Sequence, residues 1–206
     1  DNNANRLAFN RLDPLSADST SYQFINPFVM DENDDNLCYM AAGSKLWRND
    51  NLSSIPYNDA HTRNDIGWST YTDGAFSSSM DITAISTSVN PPNVLYYGTD
   101  SKYIHRVDNA NIGDPAHVAI TNIPTGSGVH CAAIAIHPNN PDKIIVVFSN
   151  YNTYSLFYSD DAGSNWTKVA GNLEENSSGS GNGPSCRTAP IIYFGNSSFD
   201  VGGSTV

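Results

Sequence analysis

The chain has 206 residues, of which 39% are hydrophobic and 11% aromatic, so it can form a folded core and is not of the disordered class. Its formal net charge is -11, and its ten Lys and Arg are scattered singly, which argues against a nucleic-acid partner because phosphate binding needs clustered basic residues. Every apolar run is far shorter than the roughly 20 residues of a membrane helix, so no membrane partner is predicted.

The first predicted elements are strands, because turn-forming Asp, Asn, Ser, Gly and Pro separate short apolar runs. A stretch at 6–12 is interpreted as the last strand of a preceding unit, over 1–21. A unit of four strands follows over 22–75. Its strands are predicted at 24–27, which a proline caps, twice within 36–50 around a Gly-Ser turn, and at 67–72.

The same pattern recurs twice along the chain. Residues 76–124 contain predicted strands at 85–89, twice within 93–108, and at 117–121, and residues 125–175 contain them at 133–137, twice within 143–160, and at 166–169. A further unit is predicted to begin within 176–206, with a strand at 186–194. A unit of four antiparallel strands that recurs about every 50 residues is typical of a β-propeller blade.

We therefore predict an all-β propeller of four-stranded antiparallel blades. Three complete blades do not close a ring, because propellers carry about four to eight blades. The chain is accordingly expected to be a segment of a longer polypeptide. A small four-bladed ring, completed by joining both ends of the chain, is the alternative.

Residues 159–166 carry the most specific motif, Ser-Asp-Asp-Ala-Gly-Ser-Asn-Trp. It matches Ser-x-Asp-x-Gly-x-x-Trp, the Asp-box (BNR) motif of sialidase-like propellers, at Ser159, Asp161, Gly163 and Trp166. Physical reasoning assigns these residues to the structure: Gly163 suits a positive φ, Ser159 and Asp161 suit hydrogen bonds to a turn, and Trp166 can cover the hairpin. Weaker copies of the motif are read at 49–51 and 107–109.

The wider chain also resembles BNR/YVTN-like repeat proteins, which look like the exported propellers of Bacteroidetes-type bacteria. The segments that carry this resemblance are 24–30, 46–52, 147–151 and 181–187. It implies a secreted or cell-surface propeller within a longer chain.

Three groups of residues are candidates for catalytic roles. Asp160 and Asp161 are adjacent, and adjacent strand residues point to opposite faces, so they are poorly placed as an acid/base pair. Arg48 and Arg106 occupy matching repeat positions, which favours a structural role over a sialidase-type arginine cluster. Asp81, just before an inner strand, is the positional candidate for a catalytic acid of the xyloglucanase kind, although a turn role is favoured. No catalytic residue is assigned.

No metal or cofactor is predicted. The stretch 31–36 is rich in oxygen ligands but lacks the glycine and distal glutamate of an EF-hand loop, so a solvated turn is favoured over a calcium site. Cys131 and His137 lie about 20 Å apart along a strand, too far to share a metal ion. Cys131 and Cys186 begin comparable strands, so a disulfide between neighbouring blades is one interpretation. A different single bridge, or no bridge, stays open.

The sequence thus favours a non-catalytic binding or structural scaffold whose rim loops meet a protein or glycan partner. The alternative is part of a glycoside hydrolase, sialidase-like or xyloglucanase-like, with catalytic residues partly outside this segment. An acid pair or an arginine cluster converging on one face would favour the enzyme.

Overall fold

The computed structural model describes residues 10–56, 62–72, 79–150, 152–171 and 174. Within these residues the chain forms twelve β-strands in three four-stranded sheets. The described residues include two complete single 3-10 turns, at Ser19–Ser21 and Leu52–Ser54, and no helix among these residues is long or apolar enough to cross a membrane. The predicted all-β class is confirmed.

In every sheet the strands lie side by side in chain order, each antiparallel to the next. The first sheet contains β1 (Phe28–Asp31), β2 (Asp34–Ala42), β3 (Lys45–Asn49) and β4 (Trp68–Thr70). The second contains β5 (Ile82–Thr87), β6 (Val94–Thr99), β7 (Ile104–Asp108) and β8 (His117–Ile120). The third contains β9 (Cys131–His137), β10 (Asn140–Phe148), β11 (Leu156–Ser159) and β12 (Thr167–Lys168).

The first strands of the three sheets are neighbours, because β5 contacts both β1 and β9. Strands β1, β5 and β9 are therefore the inner strands of three consecutive blades. Each sheet is a four-stranded meander stacked on the next through its faces, as propeller blades are. The three stacked four-stranded sheets confirm the predicted partial propeller.

Strand β6 of the central sheet is buried on both faces. In β6, Leu95 and Tyr97 pack toward the first sheet, whereas Val94 and Tyr96 pack toward the third. All residues of β6 are buried. This explains why the strand reads as an almost continuous apolar run instead of an alternating one.

Two apolar layers hold the three sheets together. The largest fully buried side chains between the first and second sheets are Tyr39, Leu46, Ile82, Leu95, Tyr97 and Val107. Those between the second and third are Tyr96, Ile104, Ile144, Val146, Phe148 and Phe157. Each such side chain stabilises the fold by roughly 1.5–3 kcal/mol relative to exposure, so these layers dominate the stacking energy.

The predicted inner strand at 24–27 is wrong, since β1 begins after the proline, at Phe28. Pro27 has no N–H to donate to the ladder. The side-chain amide of Asn26 instead donates to the carbonyl oxygen of Ala41 (2.7 Å). A side chain thus takes the place of a backbone donor, and the regular strand starts only at Phe28. The third inner strand was predicted well, whereas β5 begins three residues earlier than expected, at Ile82.

The three predicted outer strands correspond to β4, β8 and β12, each shorter than expected. Of the predicted strand at 6–12, only residues 10–12 are described, and they are not in a strand. The predicted strand at 186–194, and with it the unit over 176–206, lies outside the described residues. The blade bounds proposed from the sequence stay predictions.

Candidate functional site

The turn between β11 and β12 contains the motif at 159–166. The hydroxyl of Ser159 donates a hydrogen bond to Oδ1 of Asp161 (2.8 Å) and accepts one from the N–H of Gly163 (2.8 Å). Asp161 accepts two more, from the backbone N–H of Asn165 (2.8 Å) and from its side-chain amide (2.6 Å). Both side chains therefore act on the turn itself.

Gly163 is required by conformation and by space. Its φ is +86°, and a Cβ at this position would lie 2.8 Å from Cγ2 of Ile120 in the second sheet. Trp166 also packs against the core between the second and third sheets. The N–H of Ala162 donates to the carbonyl oxygen of Asp142 (2.8 Å), which ties the turn to β10. The hairpin thus closes one edge of the contact between two sheets.

The carboxylate of Asp161 is unsuited to act as a general acid. Hydrogen bonds from the side chain and backbone of Asn165, and from Ser159, lower its pKa below the ordinary value. A general acid needs a raised pKa so that it keeps its proton near neutral pH. Asp161 therefore stays ionised and serves as a hydrogen-bond acceptor.

We expect Ser159→Ala to lower the free energy of unfolding by about 1–2 kcal/mol, because it leaves the N–H of Gly163 without its acceptor. Ser164→Ala is the matched control: it removes an exposed hydroxyl from the same turn and should stay within about 0.5 kcal/mol of the parent chain. Urea unfolding measures both. Equal effects from the two serines would contradict the role given to Ser159.

Of the two weaker copies of the motif, the one at 49–51 keeps part of this geometry. Strand pairing places Asn49 opposite Cys38 and Ser159 opposite Ile144, which are matching positions of the first and third sheets. The Asn49 side chain accepts from the N–H of Asn51 two residues later (2.9 Å), and Ser159 accepts similarly from Asp161 (3.3 Å). In the second sheet the position holds an apolar valine, at residue 107.

Polar side chains gather at one end of the inner strands. We call this group the rim, and its residues are Asp81, Asp100, Ser101, His130 and Asn150. All five are half-buried. They precede β5 or β9, or follow β6 or β10, so the antiparallel pairing brings them to the same end of the sheets.

Hydrogen bonds hold the rim in place within each sheet. The N–H of Asp100 donates to the carbonyl oxygen of Asp81 (3.0 Å), and the Asp100 side chain accepts from the N–H of Asp81 (3.2 Å). In the third sheet the N–H of His130 donates to the Asn150 side chain (2.5 Å). The rim is therefore built on ordered backbone.

The rim also continues from the second sheet to the third. The N–H of Lys102 donates to the carbonyl oxygen of Val129 (2.8 Å), just before β9. Burial lowers the pKa of His130, while the negative charge of Asp100 opposes that shift. The imidazole of one blade thus interacts with the carboxylate of its neighbour. Asp81, the sequence candidate for a catalytic acid, lies in this group.

The acidic stretch at 31–36 forms the β1–β2 turn, at the opposite end of the sheet from the rim. Asp31 accepts from the N–H of Asn33 (2.9 Å), and Asp34 accepts from the N–H of Asn36 (2.9 Å). These carboxylates bond to their own turn. Among the described residues, no group of three or more His, Cys, Asp or Glu side chains is arranged to hold a metal ion.

Two cysteines lie among the described residues, and both are buried free thiols. Burial raises the pKa of Cys38 to about 11 and also raises that of Cys131. The Cys131 side chain faces Gly98 in the second sheet. Cys186 lies outside the described residues, so its disulfide with Cys131 stays a prediction.

Arg48 and Arg106 occupy matching positions, since Arg48 pairs with Tyr39 and Arg106 pairs with Tyr96 across their sheets. Both tyrosines lie on the face of their sheet that packs on the following sheet. The two arginines therefore point toward the next blade.

Each of these arginines binds that next blade. The Arg48 guanidinium donates to the carbonyl oxygens of Ala110 (3.0 Å) and Gly113 (3.2 Å), which follow β7. Arg106 forms an ion pair with Asp142 of the third sheet (2.5 Å). Both arginines therefore connect neighbouring sheets.

Sequence reasoning missed a buried histidine cluster between the first and second sheets. The hydroxyl of Tyr97 lies 2.7 Å from Nδ1 of His117, and the His105 ring stacks on Tyr97 with centroids 4.9 Å apart. Tyr71 of the chain after β4 meets His117 edge-on at 5.1 Å. The available signal was the placement of both histidines within apolar strands. Such a position is more often a core residue than a ligand.

No family model matches the chain, and no curated protein matches it. Among solved structures it is similar to the GH74 enzyme of Niastella koreensis, with 16% identity, a TM-score of 0.46, and coverage of 73% of this chain and 23% of that one. It is also similar to the GH74 xyloglucanase of Xanthomonas campestris, with 13% identity, a TM-score of 0.36, and coverage of 69% and 29%. The chain spans less than a third of either protein's length. The Asp-box resemblance stays a prediction from the sequence motif.

Proposed function

We propose that the chain is a non-catalytic propeller module, exported to the cell surface or beyond, whose rim binds a protein or glycan partner. The observation that carries this proposal is the rim itself: five half-buried polar residues on ordered backbone at one end of the inner strands. Loops positioned by a rigid scaffold are where binding residues concentrate.

The chemistry of the rim suits a hydrogen-bonding partner. Carboxylates, a hydroxyl, an imidazole and an amide offer both donors and acceptors. Because the backbone beneath them is already bonded, little conformational entropy is lost when a partner docks. By contrast, Arg48, Arg106 and Asp161 are engaged in structural contacts.

Two substitutions test the rim. We expect Ser101→Arg and His130→Gln each to weaken partner binding about tenfold, or roughly 1.4 kcal/mol. Partners are first selected from a glycan array and from proteins of the same cell surface, and affinities are then measured by calorimetry. Glu32→Ala is the control, because Glu32 is exposed in the β1–β2 turn at the other end of the sheet. Binding lost in the control and kept in both rim variants would overturn the proposal.

A second candidate is a glycoside hydrolase segment, which the place of Asp81 on the rim favours. There, Asp81 adjoins the Asp100 carboxylate. If the chain contributes a catalytic acid, Asp81→Asn should reduce glycan hydrolysis at least about 100-fold while binding is retained. Under the binding-module proposal, the parent chain releases no sugar from the same glycans.

A further inference from the structure

One face of the first sheet is apolar and exposed along its inner edge. Phe28 and Met30 of β1 are 71% and 43% exposed, and the preceding Phe24 and Ile25 are 105% and 73% exposed. This seven-residue segment therefore exposes four large apolar side chains. Such segments mark interaction surfaces in soluble proteins.

Strand pairing shows what this face does in the other two sheets. Phe28 pairs with Met40, and the matching pairs are Ile85 with Tyr97 and Ile134 with Val146. In the second sheet, Ile85 packs in the layer shared with the first sheet. In the third, Ile134 is 8% exposed and packs in the layer shared with the second. This position therefore faces the preceding sheet.

The next position on the same face behaves in the same way. Met30 pairs with Cys38, as Ile136 pairs with Ile144 in the third sheet. Ile136 packs against the layer shared with the second sheet, whereas Met30 is exposed. Two successive inward positions that are covered in a later sheet are thus open in the first.

The outer half of this face is already covered. Ala17 and Tyr22, which precede β1, pack on Ala42, Trp47 and Trp68 of the first sheet. The open area is therefore limited to the inner edge. This open area lies beside the part of the same face that Ala17 and Tyr22 cover.

We propose that the inner edge of this face binds one further four-stranded β-sheet, packed on the first sheet as the first packs on the second. The strand register identifies the occupant. The position of Phe28 meets a preceding sheet in both interfaces between the described sheets, and the position of Met30 does so in the interface between the second and third sheets. A glycan ligand would leave the match between Phe28, Ile85 and Ile134 unexplained. A second copy of the chain is an alternative that the experiment separates.

The test compares the 206-residue chain with the complete polypeptide that its gene encodes, purified from the native host. Phe28→Cys is introduced into both proteins. After pretreatment with a reductant, the rate at which a thiol reagent labels the introduced cysteine is measured. We expect fast labelling in the 206-residue chain and labelling at least 100-fold slower in the complete polypeptide. Val118→Cys is the control, since Val118 lies on β8 and is 57% exposed, and it should label quickly in both.

A second variant separates the further sheet from other coverings. Met30→Asp should leave the unfolding midpoint of the 206-residue chain unchanged, lower that of the complete polypeptide, and restore labelling at Phe28→Cys there. Fast labelling at position 28 in both proteins overturns the proposal. The proposal is also overturned if labelling of Phe28→Cys in the 206-residue chain becomes slower as the protein concentration rises, because that result assigns the face to a second copy.

Discussion

Gly98→Ala is expected to lower the free energy of unfolding by about 3 kcal/mol, at the upper end of the range for overpacked cores. Gly98 lies in β6 where the second sheet meets the third. A Cβ at this position would sit 2.7 Å from Cβ of Cys131, closer still to its sulfur, and 3.1 Å from Cδ1 of Ile104. Cys131 and Ile104 are fully buried, so neither has space to move aside.

Two further variants isolate the cause. Cys131→Ala removes the nearest atom, so the double variant Gly98→Ala/Cys131→Ala should be less destabilised than the sum of the single variants. Gly126→Ala is the matched control, because a Cβ at Gly126 meets nothing within 4 Å, and its effect should be within about 0.5 kcal/mol. Urea unfolding of the four proteins supplies the cycle. Strict additivity would show that the clash with the Cys131 sulfur is not the reason.

The second large effect that we expect is a loss of stability in mild acid, caused by His105. Burial, helped by the nearby His117, lowers the pKa of His105 from 6.5 to about 4. Between pH 6.5 and pH 4, His105 is therefore protonated in the unfolded chain but neutral in the folded chain. The contribution of His105 to the free energy of unfolding is complete above pH 6.5 and decreases as the pH falls. By about pH 4 the free energy of unfolding has decreased by about 3 kcal/mol.

His105→Phe tests this assignment because phenylalanine keeps an aromatic ring on Tyr97 but does not titrate. Between pH 6.5 and 4, its unfolding free energy should change with a visibly smaller slope than that of the parent chain. His130, whose pKa is also lowered, contributes in the same direction to both proteins and cancels in the comparison. Asp161 acts in a lower window, since its stabilising effect is lost only below its ordinary pKa. Equal slopes in the two proteins would rule out His105.

Prediction from sequence was accurate where the signal is local. The Gly-Ser turn at 43–44 and the apolar runs around it correspond to β2 and β3, because alternation and turn chemistry act over a few residues. It failed at 24–27, where an apolar run resembles a strand. There, the missing N–H of Pro27 and the side-chain bond of Asn26 delay the strand.

The candidate site shows the same division. Every polar bond within the 159–166 turn joins residues at most four positions apart, so the motif alone predicts it. The rim depends on bonds between Asp100 and Asp81 and between Lys102 and Val129, which are distant in the chain. No local pattern reports such pairs.

The sequence by itself determined the all-β class, the four-strand repeat and the motif of the third sheet, since each rests on short apolar runs, turn residues and their recurrence along the chain. Only the tertiary structure decided which face of each strand meets which sheet. It therefore decided which residues connect neighbouring sheets, which lie in the core and which are exposed. Phe28, Ile85 and Ile134 are all apolar inner-strand residues in the sequence. Stacking buries Ile85 and Ile134 to differing degrees and leaves Phe28 exposed, because only the later sheets have a preceding sheet to pack against within the described residues.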